Sequence, residues 1–181
     1  MTRSETFFRG AGTSSLTDLL EALRAPGAPA AGTALAYAAA MAAALGEMCA
    51  AGSSEAEALR FAGERLLELA ERDALAYRAY EAAGPERAEA VAEAIAVPLA
   101  IAREARSVWA RLHPLRDRVK PPRRADLDVA LELLRVATGG AARLARFNSQ
   151  VAGAPGWEQE ARQLESWAEE AEGRGSRELD G

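Results

Sequence analysis

"LRAPGAPAAGTALAYAAAMAAALGEM", from Leu23 to Met48, carries no charge between Ala25 and Gly46 and is mostly alanine and glycine. At first sight it fits a membrane span, a packed core helix or a ligand-binding loop. A span needs about 20 strongly apolar residues in a row, and Pro26, Gly27, Pro29 and Gly32 break the front half. What remains, Ala34 to Gly46, is too short, and alanine adds little insertion energy. Small side chains instead let neighbouring backbones approach closely and gain dispersion contacts along a seam. The stretch therefore reads as a core helix.

Length and composition set the frame around that helix. The chain of 181 residues is most simply one domain, long enough to bury roughly 70% of its unfolded surface. Cys49 is the only cysteine, so there is no internal disulfide and no cysteine-based metal site, which suits a reducing cytoplasm. The opening "MTRSETFFRGAG" lacks the apolar run of a signal peptide, and no other segment is addressed to a membrane; residues 1–14 read as a flexible arm. A net charge of -5 gives no basic footprint for nucleic acid, and the charges alternate in sign along the chain. Lys120 is the sole lysine among 22 basic residues.

Between Gly and Pro punctuation the apolar residues recur at helical spacing, and no strand pattern or long repeat is found. The expected architecture is all-α, an up-and-down-like bundle of about six helices over residues 15–172. The first helix runs from Ser15 to Arg24 and the second from Ala31 to Ala51. After "AGSS" the third covers Ser54 to Ala83. The fourth follows "GPER" to Leu112, with Pro98 inside it removing one hydrogen bond to the Ala94 carbonyl, so a kink is expected. "HPLRDRVKPPRR" is the long polar connection, and the fifth helix runs from Ala125 to Gln150. A sixth, Trp157 to Glu172, follows "AGAPG", and residues 173–181 read as a disordered tail.

In the third helix an advance of about 100° per residue places Leu59, Ala62, Leu66, Leu69, Tyr77 and Tyr80 on one stripe, with Asp73 in its middle. Glu64, Glu68, Glu71, Arg72 and Arg78 lie opposite. A carboxylate on an apolar face is costly unless paired, and such groups often have pKa values suited to proton transfer. Two roles stay open for it, an interhelical ion pair to an arginine or a site.

Elsewhere, Asp126 and Asp128 fit helix N-terminal caps or dipole partners. Lys120, Arg123 and Arg124 fit a solvated loop, or a cradle for the carboxylates of an anionic ligand. Asn148 fits a helix-terminal cap, and His113, the only histidine, fits a helix C-terminus. No His-rich metal site can form. Trp109, Trp157 and Trp167 fit core or interface positions, and no Walker loop, GxGxxG or G-x-S-x-G motif occurs.

Taken in order, "APGAPAAGTALAYAAAMAAALGEM", "ERDALAY", "AVPLAIA", "RRADLDVALELL" and "ARFNSQ" resemble the cyclodeaminase/cyclohydrolase family of folate enzymes, from Leu16 to Gln150. The resemblance implies an all-helical homodimer that binds tetrahydrofolate derivatives in a cleft near the subunit interface, with no further cofactor. It also implies deamination of 5-formimino-tetrahydrofolate or hydrolysis of 5,10-methenyl-tetrahydrofolate to the 10-formyl compound. Asp73 matches the aspartate of the family's D-x-x-A-[FY] motif, which points to proton transfer. Pro98 matches the proline of its V-P helix, and Asp126 and Asn148 match its S-D and N positions near the cleft, with Ala125 in place of the serine. Gly32 and Thr33 would help hold the ligand, and Arg123 or Arg124 its glutamate tail.

The chain departs from the family where P-G-G-G-S is replaced by "PAAGT", Pro29 to Thr33, and where a lysine-rich segment is replaced by "AAGSSEAEALRF". Alanines there would oppose a positive φ and cover backbone amides. Two functions are open: a cytoplasmic folate enzyme using Asp73, or a non-catalytic homodimer that keeps the scaffold with a degraded folate loop. Off-stripe apolar residues such as Phe61 and Leu75, added to the alanine helix, give more apolar surface than one layer of helices covers, which favours a homodimer in both cases.

Overall fold

The computed structural model describes residues 15–27, 29–83 and 87–179. Six α-helices account for nearly all of them, and no strand occurs among the described residues: α1 Leu16–Arg24, α2 Ala31–Cys49, α3 Ser54–Ala83, α4 Ala88–Leu112, α5 Pro121–Val151 and α6 Glu158–Leu179. Short 3₁₀ turns at His113–Leu115 and Pro155–Trp157 lead into the last two connections. Helices α2 to α5 close a four-helix ring in which each packs on the next and α5 packs back on α2. Short connections make neighbours antiparallel. α6 lies along α5, and α1 sits at the periphery.

Local signals explain the boundaries. Ser15 caps α1 in a capping box: its hydroxyl accepts from the Asp18 amide at 3.2 Å, and the Asp18 carboxylate accepts from the Ser15 amide at 2.9 Å. Gly52, at φ +88°, turns the chain between α2 and α3. α5 begins four residues earlier than the polarity of "KPPRR" suggests, because Pro121 occupies its first position, where a missing N–H costs nothing. Arg123 and Arg124 thus belong to a helix and not to a loop, and Asp126 and Asp128 lie in its second turn. α6 continues to Leu179, well into the stretch read as a disordered tail, since the two glycines there lower helix preference without the blocking effect of proline. The arm at residues 1–14 lies outside the described residues.

α2 is the packing helix that its alanines suggest. Ala36, Ala39, Ala42 and Ala43 are fully buried, and a Cβ added to Gly46 would lie 2.6 Å from a Leu112 methyl. Around them Leu59, Leu66, Leu112, Leu127 and Leu134 fill one half of the core, and Ile95, Leu99, Ile101 and Leu164 the other. Each such side chain contributes about 1.5–3 kcal/mol on burial. By length and composition alone Ala31–Cys49 is sufficient to cross a membrane, but half of that window is buried inside the bundle.

Candidate functional site

The first turn of α2 has no cap of its own. Ala30 holds the N-cap position in an extended conformation, φ -135°, and makes no side-chain hydrogen bond. The missing acceptor comes from α3. Asp73 is 6% exposed, and its Oδ2 accepts a 2.9 Å hydrogen bond from the Thr33 hydroxyl, with the Thr33 backbone amide as a second donor. The carboxyl group fills the space beside Gly32 so closely that a Cβ there would lie 2.2 Å from Asp73 Oδ1. Gly32 is the glycine of "PAAGT" that this contact demands. Ala30 is accommodated because no non-glycine among the described residues needs a positive φ.

Among the described residues Asp73 has no ionic partner. Thr33, rather than an arginine, is its partner, so the interhelical salt bridge is not formed. Burial is the largest influence on the carboxyl group and raises its pKa above the usual aspartate value; the two Thr33 hydrogen bonds act in the opposite direction. A helix N-terminus also favours the carboxylate form. The result is an acid whose proton affinity is raised by desolvation and which already touches a hydroxyl and an amide.

Tyr37 lies one turn beyond Thr33 on α2, a position the stripe on α3 did not single out. Its hydroxyl pKa is raised by burial and then by the nearby charge of Glu71. Glu71 is half-buried and does not sit with the solvated charges Glu64, Glu68 and Arg72. The spacing of Thr33 and Tyr37, four residues apart, was the available signal.

Asn148 takes part in packing at the same end of the bundle. Its side-chain Nδ2 donates a 2.8 Å hydrogen bond to the carbonyl of Ala94, the acceptor that Pro98, four residues later, cannot serve. α4 runs through Pro98 without interruption.

Asp126, Arg123 and Arg124 lie at the other end. The Cys49 thiol, at the end of α2, donates to the carbonyl of Arg123 at 3.6 Å, and an Arg123 guanidinium nitrogen donates to the Met48 carbonyl at 3.1 Å. Burial first, then Asp126, raises the Cys49 pKa, and Arg123 opposes them. Arg124 pairs with Asp117 at 3.6 Å and Asp128 with Arg116 at 2.8 Å. From Gly32 to Cys49 along α2 is roughly 25 Å at 1.5 Å rise per residue. Within one chain, then, Asp73, Gly32 and Thr33 come together, Asn148 is at their end of the bundle, and Asp126, Arg123 and Arg124 are not part of that group. His113 takes the C-cap position of α4 and stacks on Trp109 at 4.4 Å, and Trp109 meets Trp167 edge-on at 5.2 Å. Among the described residues no group of three or more His, Cys, Asp or Glu could hold a metal ion.

The sequence matches the family model described as formiminotransferase-cyclodeaminase over residues 15–163. Its fold is similar to that of a formiminotetrahydrofolate cyclodeaminase from Thermotoga maritima, with a TM-score of 0.76, 19% identity, and coverage of 89% of this chain and 91% of that one. No curated protein matches the sequence.

Proposed function

Because the chain belongs to the formiminotransferase-cyclodeaminase family, we propose that it acts on a tetrahydrofolate derivative at the end of the bundle marked by Asp73, with Gly32 and Thr33 holding the ligand. The supporting observation is a buried carboxyl group with raised proton affinity and a hydroxyl and an amide within its reach, in place of a counter-ion. A group of this kind suits general acid and base work. In a cyclodeaminase, Asp73 would give a proton to the departing formimino nitrogen; in a cyclohydrolase, it would take one from the water that attacks the methenyl carbon. The folate is the substrate, and no further cofactor is invoked. The cytoplasm is the expected location.

The enzyme is proposed to be a homodimer. α2 has one charged residue, Glu47, yet Met41 and Met48 on it are exposed, and the adjacent α5 exposes Val129, Val136, Phe147 and Val151. Val129, Val136, Phe147 and Val151 fall on one stripe of α5, and Leu35 of α2 packs over Gly140 beside that stripe. A second copy of this surface is the self-complementary cover such a face needs.

One observation favours the alternative of a non-catalytic homodimer. Asp73 already serves as the missing cap of α2 and is nearly inaccessible, which is a sufficient structural reason for its presence. Calorimetry with 5-formyl-tetrahydrofolate separates the two. Micromolar binding, followed by turnover of either substrate that Asp73→Asn loses more than affinity, is expected for the enzyme. Absence of binding up to millimolar ligand would leave the scaffold.

A further inference from the structure

The end of the bundle away from Asp73 holds a basic cavity whose lining includes none of Asp73, Gly32 and Thr33. It has a volume of about 600 Å³ and lies between the end of α2, the start of α3 and the connection into α5. Arg118, Lys120 and Arg123 line it, with Ser53 and Ser54 on the α3 side. Among the described residues its single acidic lining residue, Glu55, pairs with Arg111 at 3.3 Å. Between Arg116 and Asp128 the sequence has five bases and three acids. Asp128 pairs with Arg116 and Asp117 with Arg124, so Arg118, Lys120 and Arg123 are left against Asp126 alone. Among the described residues neither Arg118 nor Lys120 pairs with a carboxylate.

Backbone dipoles add to this excess. The positive end of α3, a helix of 30 residues, opens at Ser54 on the cavity wall. The carbonyls at the end of α2 would oppose it, but Arg123 already neutralises that of Met48. Three cations around one concavity repel each other, and a monoanion would leave most of that repulsion in place. The volume falls within the roughly 300–1,000 Å³ common for small-molecule sites.

We propose that this cavity binds a small polyanion carrying two or more phosphate or carboxylate groups, at a site separate from that of Asp73. Arg118 and Lys120 supply the long-reach contacts, and Arg123 and the α3 N-terminus the inner ones. Phosphate esters and polycarboxylates share this chemistry, so pyrophosphate and citrate serve as the two probes.

The test is titration calorimetry of the full chain at low ionic strength with each probe, on wild type, Arg118→Ala/Lys120→Ala and a control, Arg65→Ala, which removes an exposed cation on the outer face of α3. We expect saturable one-site binding of at least one probe at sub-millimolar Kd, weakened tenfold or more in the double variant and unchanged in the control. The probe bound more tightly identifies the source. Binding by neither probe overturns the proposal, as does an equal loss in the control, which would mark diffuse attraction. Displacement of bound pyrophosphate by 5-formyl-tetrahydrofolate would overturn the claim of a separate site. A failure of folate binding alone leaves it intact.

Discussion

The side-chain amide of Asn148 donates a 2.8 Å hydrogen bond to the carbonyl oxygen of Ala94, across the α4–α5 interface. That carbonyl is the one Pro98 orphans, since a helical carbonyl is served by the amide four residues on and proline has none. The proline and the asparagine, fifty residues apart in sequence, are thus halves of one device. It lets α4 carry an interior proline with its backbone acceptor satisfied.

Removing the donor should therefore be costly only while the proline is present. Asn148→Ala is expected to lower stability by about 1–3 kcal/mol, the cost of an unsatisfied buried acceptor. In a Pro98→Ala background the new amide can take the Ala94 carbonyl, so the same substitution should cost clearly less. A double-mutant cycle by urea denaturation measures the difference, and strict additivity would refute the coupling.

Gly32 and Asp73 form the second such pair, with a Cβ at 32 placed 2.2 Å from a carboxyl oxygen. Gly32→Ala should cost about 1–3 kcal/mol or more through overpacking at the start of α2. Truncating the opposing group should relieve it, so Gly32→Ala/Asp73→Ala is expected to be more stable than Gly32→Ala alone. Thermal melts of the three variants decide this, and a double variant less stable than the single would show that the clash is not the cause.

The fold was legible because the apolar period and the Gly and Pro breaks act locally: the bounds of α3, Ser54–Ala83, follow from them directly. The start of α5 was less so, because "KPPRR" is polar enough for a loop while its prolines fit a first helical turn. Asp73 stood out as a charge on an apolar stripe, yet its partner did not. A carboxylate on a stripe attracts an arginine as readily as a helix N-terminus, and the choice depends on which element crosses there. The clue in the sequence is Ala30, which offers α2 no side-chain cap of its own. Within the chain Asp126, Arg123 and Arg124 lie at the other end of the bundle from Asp73, a placement that spacing along the sequence does not tell, because it does not fix which end of an antiparallel bundle a residue occupies.

The raised pKa of Asp73 has a definite sign in stability. The folded chain keeps this proton to a higher pH than the unfolded chain, whose aspartate titrates near 3.9. Between the two values the native state binds more protons, so stability from this group falls as pH rises through that window. Asp73→Asn has no such dependence. The stability of wild type minus that of Asp73→Asn should therefore decline from pH 4 upward until the folded pKa is passed, then level. Paired surface carboxylates such as Glu160, whose pKa Arg103 lowers, are common to both proteins and cancel. Urea midpoints across pH 4 to 8 give the curve, and a rising difference would mean that the Thr33 hydrogen bonds outweigh desolvation.

Exposed methionines and valines mark the face that a second copy would cover. Met41 on α2 and Val136 on α5 are each about half exposed, 53% and 52%, on helices that pack side by side. If a second copy covers this face, Met41→Glu and Val136→Lys each bury a charge without a partner in the dimer and leave the monomer's core untouched. Each variant alone should shift sedimentation at micromolar concentration from dimer toward monomer while helical circular dichroism is kept. Combining Met41→Glu and Val136→Lys should restore part of the association only if the two residues meet across the interface, because the opposite charges could then pair. A wild-type chain that sediments as a monomer would contradict the dimer, and the apolar face would then be a feature of the single bundle.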